Sequence, residues 1–377
     1  MTTRLTVAQG EFELIRLPKR TRELLRAWDA ADEYLLDTLD ISTAPAERIL
    51  ILNDSFGALA VALSIFQPYA ISDSYLSQQA TRLNLVANGL PEHSVNLLSS
   101  LDSLEGVFSR VLIKVPKTLA LLEEQLIRLR PHLTASTRII VAGMIKTLPP
   151  SVWKLLERLI GPTTTSLSRK KARLIFTSFD AGLVVQPSPY PVCYRLENTD
   201  YLISNHANVF SRDSLDIGTR FFLQHLPSRQ EVCDIIDLGC GNGLVGLIAA
   251  ERNPTATVCF VDESFMAVAS ARDNFYRVFG RQREASFRVG DGLTTFDAAS
   301  ADLILCNPPF HQQNMIGDQI AISLFKQSRR VLRKGGELWV IGNRHLGYHS
   351  TLNRLFGTHT LIASNSKFII VKAVLAD

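Results

Sequence analysis

Short, largely apolar runs recur along this chain, and most are followed by a stretch with helical spacing. In the second half they are Val232–Asp237, Thr257–Val261, Ser286–Val289, Leu303–Cys306 and Glu337–Gly342. Runs this short, with little polar alternation, predict strands buried on both faces. Their alternation with helices predicts a central, mostly parallel sheet flanked by helices. The same series stands in the first half as Arg48–Leu52, Tyr69–Ser72, Val111–Val115 and Arg138–Gly143. Arg82-Leu83-Asn84-Leu85 echoes Arg272-Asp273-Asn274-Phe275, and closing hairpins begin near Gly161 and Gly357. The chain therefore reads as an internal duplication, two copies of one α/β unit in tandem. Asp180–Pro191, rich in Pro, Ser and Gly, reads as the connection. The expected division is a first domain over 1–180, a linker over 181–195 and a second domain over 196–377.

The turns at the ends of the strands separate the copies. In the second, the first strand ends in Asp237-Leu238-Gly239-Cys240-Gly241-Asn242-Gly243, and a helix begins at Leu244. Glycines there permit positive φ and let a ligand approach the backbone, while the helix N-terminus beyond offers unpaired N–H groups. A dinucleotide fingerprint would place glycine where Leu244 stands, which argues against NAD. The D-x-G-x-G-x-G pattern resembles the turn of S-adenosylmethionine-dependent methyltransferases, which implies that Asp237 faces the cofactor's amino-acid end. Asp262 ends the second strand, at the spacing where such folds set a carboxylate on the ribose hydroxyls. A carboxylate can accept from both. Asp291, after the third strand, falls where relatives hold the adenine amine.

Asn307-Pro308-Pro309-Phe310 comes directly after the fourth strand. An aromatic exocyclic amine is a poor nucleophile because its lone pair is delocalised into the ring. The Asn307 side-chain oxygen and a carbonyl near Pro308 can each accept one N–H, turning the nitrogen toward tetrahedral and aiming its lone pair. Prolines fix φ, and their missing N–H groups do not compete for those acceptors. Phe310 offers a face on which a base can stack, worth about 1–3 kcal/mol. Orientation supplies much of the rate, so no strong base is required.

The first copy lacks this chemistry. Its turn, Asn53 to Gly57, keeps only the last glycine. Aligned by eye, Val115 stands where Asn307 stands and Thr118 where Phe310 does, while Asp73 persists opposite Asp262. Such a copy is expected to serve as a docking surface or a brace.

Charge assigns it a partner class. Residues 1–195 carry 22 Lys and Arg against 18 Asp and Glu, whereas residues 196–377 carry 18 of each. The whole surplus lies in the first half, the sign expected of a part that handles nucleic acid. Two clusters are candidates for RNA contact: Lys19, Arg20, Arg22 and Arg26, then Arg169, Lys170, Lys171 and Arg173. No apolar run reaches membrane-spanning length, and no leader is expected at the N-terminus. Five cysteines without a C-x-x-C pair read as buried free thiols in a reducing cytoplasm, with no metal site.

Further segments complete the pattern: Ala27–Leu36, Lys114–Glu123, Val209-Phe210-Ser211 and Asn307–Gln313. With these, nearly the whole chain resembles the bacterial ribosomal-RNA guanine-N2 methyltransferases built from two tandem Rossmann-like class I methyltransferase domains, the first degenerate. Within that family it is most similar to the type that modifies a guanine of 23S RNA, with the 16S-specific type as a near relative. The resemblance implies S-adenosylmethionine as methyl donor, N2-methylguanosine as product, and a protein-free or partly assembled ribosomal RNA as partner. It also implies a segment over the cofactor, with Phe210, Ser211 and Gly218 as contacts. His206 and His311 read as polar loop residues, not bases. A monomer is allowed. Rival readings are N6-methylation of adenine, methylation of a protein glutamine, or an RNA chaperone with a structural cofactor.

Overall fold

A computed structural model of the chain describes residues 3–19, 23–40, 47–229, 231–309 and 315–376, without the side chains of 315–318. The chain divides into two units, Met1–Tyr190 and Pro191–Asp377. The first opens with the hairpin β1 (Arg4–Val7) and β2 (Gly10–Glu13), then α1 (Ala30–Thr38). It continues as β3 (Ile49–Leu52), α2 (Ala58–Ala62), β4 (Tyr69–Ser72), α3 (Tyr75–Ala87), β5 (Asn96–Ser99) and β6 (Arg110–Lys114). It closes with α4 (Leu119–Leu129), β7 (Arg138–Met144), α5 (Ser151–Leu159), β8 (Thr163–Thr165) and β9 (Ala172–Thr177).

The second unit repeats that order. After the hairpin β10 (Val192–Arg195) and β11 (Leu202–Asn205) come α6 (Ile217–His225), β12 (Asp234–Leu238), α7 (Leu244–Arg252), β13 (Thr257–Asp262) and α8 (Phe265–Phe279). Next are β14 (Ala285–Val289), β15 (Ala301–Cys306), α9 (Met315–Val331), β16 (Leu332–Asn343), α10 (Tyr348–Phe356), β17 (Thr360–Ser364) and β18 (Phe368–Val374). The sheets have one topology, β5-β4-β3-β6-β7-β9-β8 and β14-β13-β12-β15-β16-β18-β17. In each, the first five strands are parallel, the sixth runs opposite to them, and the edge strand pairs antiparallel with the sixth. The duplication thus reaches upstream of the first sheet strand to an N-terminal hairpin and helix. Val192–Arg195, expected as linker, is a strand paired with Leu202–Asn205.

Alternate residues of each central strand feed opposite cores, as period-two side chains must. Ile235, Leu303, Leu305 and Ile341 pack with α6, α7 and α8, whereas Ile236, Leu238, Ile304 and Val340 pack with α9 and α10. Both faces are buried, hence the nearly continuous apolar runs. In both sheets the strand order reverses beside the first sheet strand, between β3 and β6 and between β12 and β15. The crevice beyond the carboxyl ends at such a reversal is where open α/β sheets bind ligands.

Candidate functional site

In the second unit the crevice is floored by the turn after β12. Gly239, Gly241 and Gly243 have φ of 73°, 54° and 79°, the left-handed region that favours glycine. They do different work. A side chain at Gly243 would meet Ala271 Cα at 2.8 Å, so that glycine lets α8 approach, whereas one at Gly241 would meet nothing within 4 Å. The backbone at Gly241 is therefore bare toward the crevice. Asp262 Oδ2 accepts the Gly241 N–H at 3.0 Å, and its Oδ1 accepts the Ser264 N–H at 3.0 Å. Gly290 N–H bonds to the Asp262 carbonyl at 2.9 Å, bringing the Asp291 turn alongside. Burial raises the Asp291 carboxyl. Asp237 is buried beneath the turn, where its Oδ2 accepts the Gly246 N–H of α7 at 2.7 Å. Burial, with the Asp262 charge adding, pushes its carboxyl up to about 8.

Strand pairing sets the second half of the site against the first. Leu238 pairs with Cys306, so Gly239 and Asn307 leave adjacent strands side by side. A side chain at Gly239 would lie 3.9 Å from the Asn307 carbonyl oxygen. Asn307 Nδ2 donates to Thr219 Oγ1 on α6 at 3.1 Å. Its Oδ1 is buried and has no hydrogen-bond partner among the described residues. A buried acceptor without a donor costs free energy, and this one lies next to a bare glycine turn. The geometry suits a ligand that brings its own N–H. Pro308 is buried and Pro309 exposed; Phe310 and His311 lie outside the described residues.

The first unit shows the same frame with other side chains. Asn53 N–H bonds to Ile71 O as Gly239 N–H bonds to Val261 O, and Leu52 pairs with Ile113 as Leu238 pairs with Cys306. Lys114, not Val115, therefore occupies the Asn307 position. Matching Pro116 to Pro308 shifts the correspondence by one residue. Val115 N–H still reaches Ala142 O at 3.0 Å, a ladder bond that proline cannot make. By the same register Ser72 stands at Asp262, and Asp73 aligns with Glu263. Asp73 instead accepts from Ser100 Oγ at 2.5 Å.

The Lys114 ammonium is held by Asp32 Oδ1 at 2.7 Å and Asp29 Oδ1 at 2.8 Å. Burial opposes its charge, but the two carboxylates hold it above its ordinary range. Asp32 is the third helical residue of α1, as Thr219 is of α6. In the turn, the Asp54 carboxylate accepts N–H groups of Gly57, Ala58, Leu59 and Ala60 at 3.1, 3.0, 2.8 and 2.9 Å. The cavity left beside Asp54, Ser72, Ser77 and Thr81 is about 10 Å³, room for at most one water.

Comparison with known proteins places the chain. Residues 2–181 match the RLMG N-terminal domain model and residues 200–372 the methyltransferase small domain model. The chain is 51% identical to ribosomal RNA large subunit methyltransferase G of Pseudomonas fluorescens over 367 residues, 97% of each. It is 47% identical to the protein of that name from Streptomyces griseus over 380 residues, 98% of this chain and 99% of that one. The chain belongs to the ribosomal RNA large subunit methyltransferase G family. A 16S rRNA N2 methyltransferase from T. thermophilus, solved in complex with AdoMet and guanosine, matches with a TM-score of 0.79 at 21% identity. The match covers 99% of this chain and 97% of that one, a likeness of fold.

Other sequence candidates scatter. Phe210 is 64% exposed, and Ser211 Oγ donates to Ser214 O at 2.7 Å within its own turn. Gly218 is needed for packing: a side chain there would meet the Phe368 ring at 3.1 Å. Its neighbour Thr219, which no sequence motif marks, is the residue that reaches Asn307. Also unmarked are Tyr194 and Asn205, which accept from Asn242 Nδ2 at 3.4 and 2.9 Å, and Asn274, whose Nδ2 donates to Asn242 O at 3.0 Å. These tie the hairpin and α8 to the glycine turn.

The two basic clusters converge on α1, where Glu33 accepts from Arg26 at 3.0 Å and from Lys170 at 2.7 Å, and Asp37 pairs with Arg169 at 2.8 Å. Lys19 and Lys171 are exposed, Arg173 is half-buried, and Arg20 and Arg22 lie outside the described residues. All five cysteines are free, but only Cys240 and Cys306 are fully buried; Cys193 and Cys233 are exposed. Among the described residues no helix is long and apolar enough to cross a membrane, and no group of three His, Cys, Asp or Glu could hold a metal.

Proposed function

We propose that this protein transfers a methyl group from S-adenosylmethionine to the exocyclic N2 amine of a guanine in 23S ribosomal RNA. The observation that carries the reading is the buried, unpartnered Asn307 Oδ1 beside the bare turn at Gly239 and Gly241. The family's large-subunit name supports the RNA. Residues of the turn, with Asp262 toward the ribose and Asp291 toward the adenine, hold the cofactor. Bound there, S-adenosylmethionine supplies an electrophilic methyl on a sulfonium. Asn307 Oδ1 accepts one N–H of the guanine amine and the Pro308 carbonyl the other. The amine nitrogen is thereby turned toward tetrahedral and held in line. Pro308 and Pro309 offer no N–H to compete for those acceptors. Phe310 stacks on the base. Asp237, deep under the turn, meets the cationic amino-acid end. Positioning carries the rate, and guanine N2, which in duplex RNA is base-paired and faces the shallow groove, must be presented unpaired or flipped.

The first unit holds RNA through the basic side chains around α1. Its charge surplus supports that role, although Glu33 and Asp37 offset part of the cluster. Tritium transfer from labelled cofactor to naked 23S RNA, naked 16S RNA, intact subunits and ribosomal protein tests the whole reading. Label is expected in N2-methylguanosine from 23S RNA. Label confined to protein, to adenine or to 16S RNA sinks it. Reversing the charges of Lys170 and Lys171 should weaken RNA binding and flatten its salt dependence, with cofactor binding unchanged.

A further inference from the structure

An asparagine amide has two orientations of nearly equal shape, and the proposed reaction uses one. Rotated by half a turn, Asn307 would point NH2 at the incoming amine, two donors facing each other. The contact that holds the side chain in place lies on its other side. Asn307 Nδ2 donates to Thr219 Oγ1 at 3.1 Å, which leaves Oδ1 as the atom buried and unpartnered among the described residues. Thr219 can spare its hydroxyl for this. Its backbone N–H is already taken by the Asp216 cap, Oδ2 at 2.8 Å, so α6 does not need the side chain for its start.

The duplication supplies independent support. In the first unit the same two positions hold Asp32 and Lys114, bonded at 2.7 Å. Where the amide has gone, its hydroxyl partner has gone with it, and an ion pair fills both places. The two positions change together, as a functional pair would.

We infer that Thr219 is a positioning residue for methyl transfer, anchoring the Asn307 side chain whose Oδ1 faces the substrate amine. The inference rests on reading Asn307 as the amine acceptor. The test is single-turnover methylation of 23S RNA by the full-length protein carrying Thr219→Val, Thr219→Ser, Asn307→Ala, and Asn307→Ala with Thr219→Val. Thr219→Val keeps shape and cap, and should slow transfer about tenfold, the worth of one hydrogen bond, with cofactor Kd and RNA KM near the parent's. Thr219→Ser should restore most of the rate. In the Asn307→Ala background the valine should cost nothing more, because the two act as one unit. If Thr219→Val lowers Tm, Thr219→Ala, which adds no bulk, takes its place. Parental rates for Thr219→Val, or a loss that adds in full to that of Asn307→Ala, overturn the inference while leaving the amine acceptor in place. Normal turnover by Asn307→Ala overturns the reading beneath it.

Discussion

The two units share a frame and differ at the residues that face the crevice. Asn84 and Asn274 bond alike: each donates to the turn (Phe56 O at 2.8 Å, Asn242 O at 3.0 Å) and accepts a backbone N–H from the segment at or just past the unit's opening hairpin (Ile15, Ser204). Gly57 and Gly243 are both left-handed caps at φ of 82° and 79°, and Ser74 and Ser264 both cap the next helix. By contrast, Gly239, Asp262, Asn307 and Thr219 correspond to Asn53, Ser72, Lys114 and Asp32. The features common to both copies are those the fold needs. The features confined to the second are those the proposed site uses, so the chain carries its own control.

That contrast can be broken at several points. The largest expected effect is on stability in the first unit. Lys114→Met leaves Asp32 buried without its cation, where the two side chains are 12% and 8% exposed; loss of one partner of a buried pair costs about 3–5 kcal/mol. Denaturant unfolding should report it, with methylation per folded molecule unchanged. At the equivalent position, Asn307→Ala should do the reverse, slowing methylation about a hundredfold through misalignment while cofactor binding stays level in calorimetry. Next, Asp262→Ala should weaken S-adenosylmethionine about ten- to a hundredfold, the range for hydrogen bonds to a charged group. Ser72→Ala should leave it untouched, with one cofactor per chain. Two cofactors per chain would end the account of a single working copy.

The smallest effect is a proton. Asp237, pushed up to about 8 by burial, is mostly neutral at pH 7. A cationic ligand favours its ionised form, so binding at pH 7 should release a proton, seen as calorimetric heats that vary with buffer ionisation enthalpy. Asp237→Asn should abolish that release. Because the folded pKa is raised above the unfolded value, the ligand-free protein should lose this group's share of stability as pH climbs from about 4 to 8, then level off.

Much of this is legible in the amino-acid sequence. Repeated apolar runs betray the duplication, since strands buried on both faces leave no alternation to blur them. Asn307 and Asp262 stand at strand ends in a recognisable order. Thr219 does not, because it lies 88 residues from Asn307 and only folding joins them. Lys114 escapes notice because a proline match outweighs a register that only strand pairing reveals. The β10 strand hides directly after a Pro- and Ser-rich stretch, its four residues alternating half-buried and exposed. The packing reason for Gly218 is likewise out of reach of the sequence: its missing side chain leaves room for the Asp216 carboxylate and the Phe368 ring.

Asp54 divides the molecule in one more way. A helix N-terminus attracts an anion, and in the first unit the chain brings its own, covalently attached and always present. That half carries a permanent internal substitute for a ligand, so its resistance to unfolding is indifferent to metabolite supply. The second half gains stability by mass action, about 2.7 kcal/mol at a hundred times Kd. When methyl donor runs short, proteolysis would therefore begin in one half of the chain, the half that holds the proposed site.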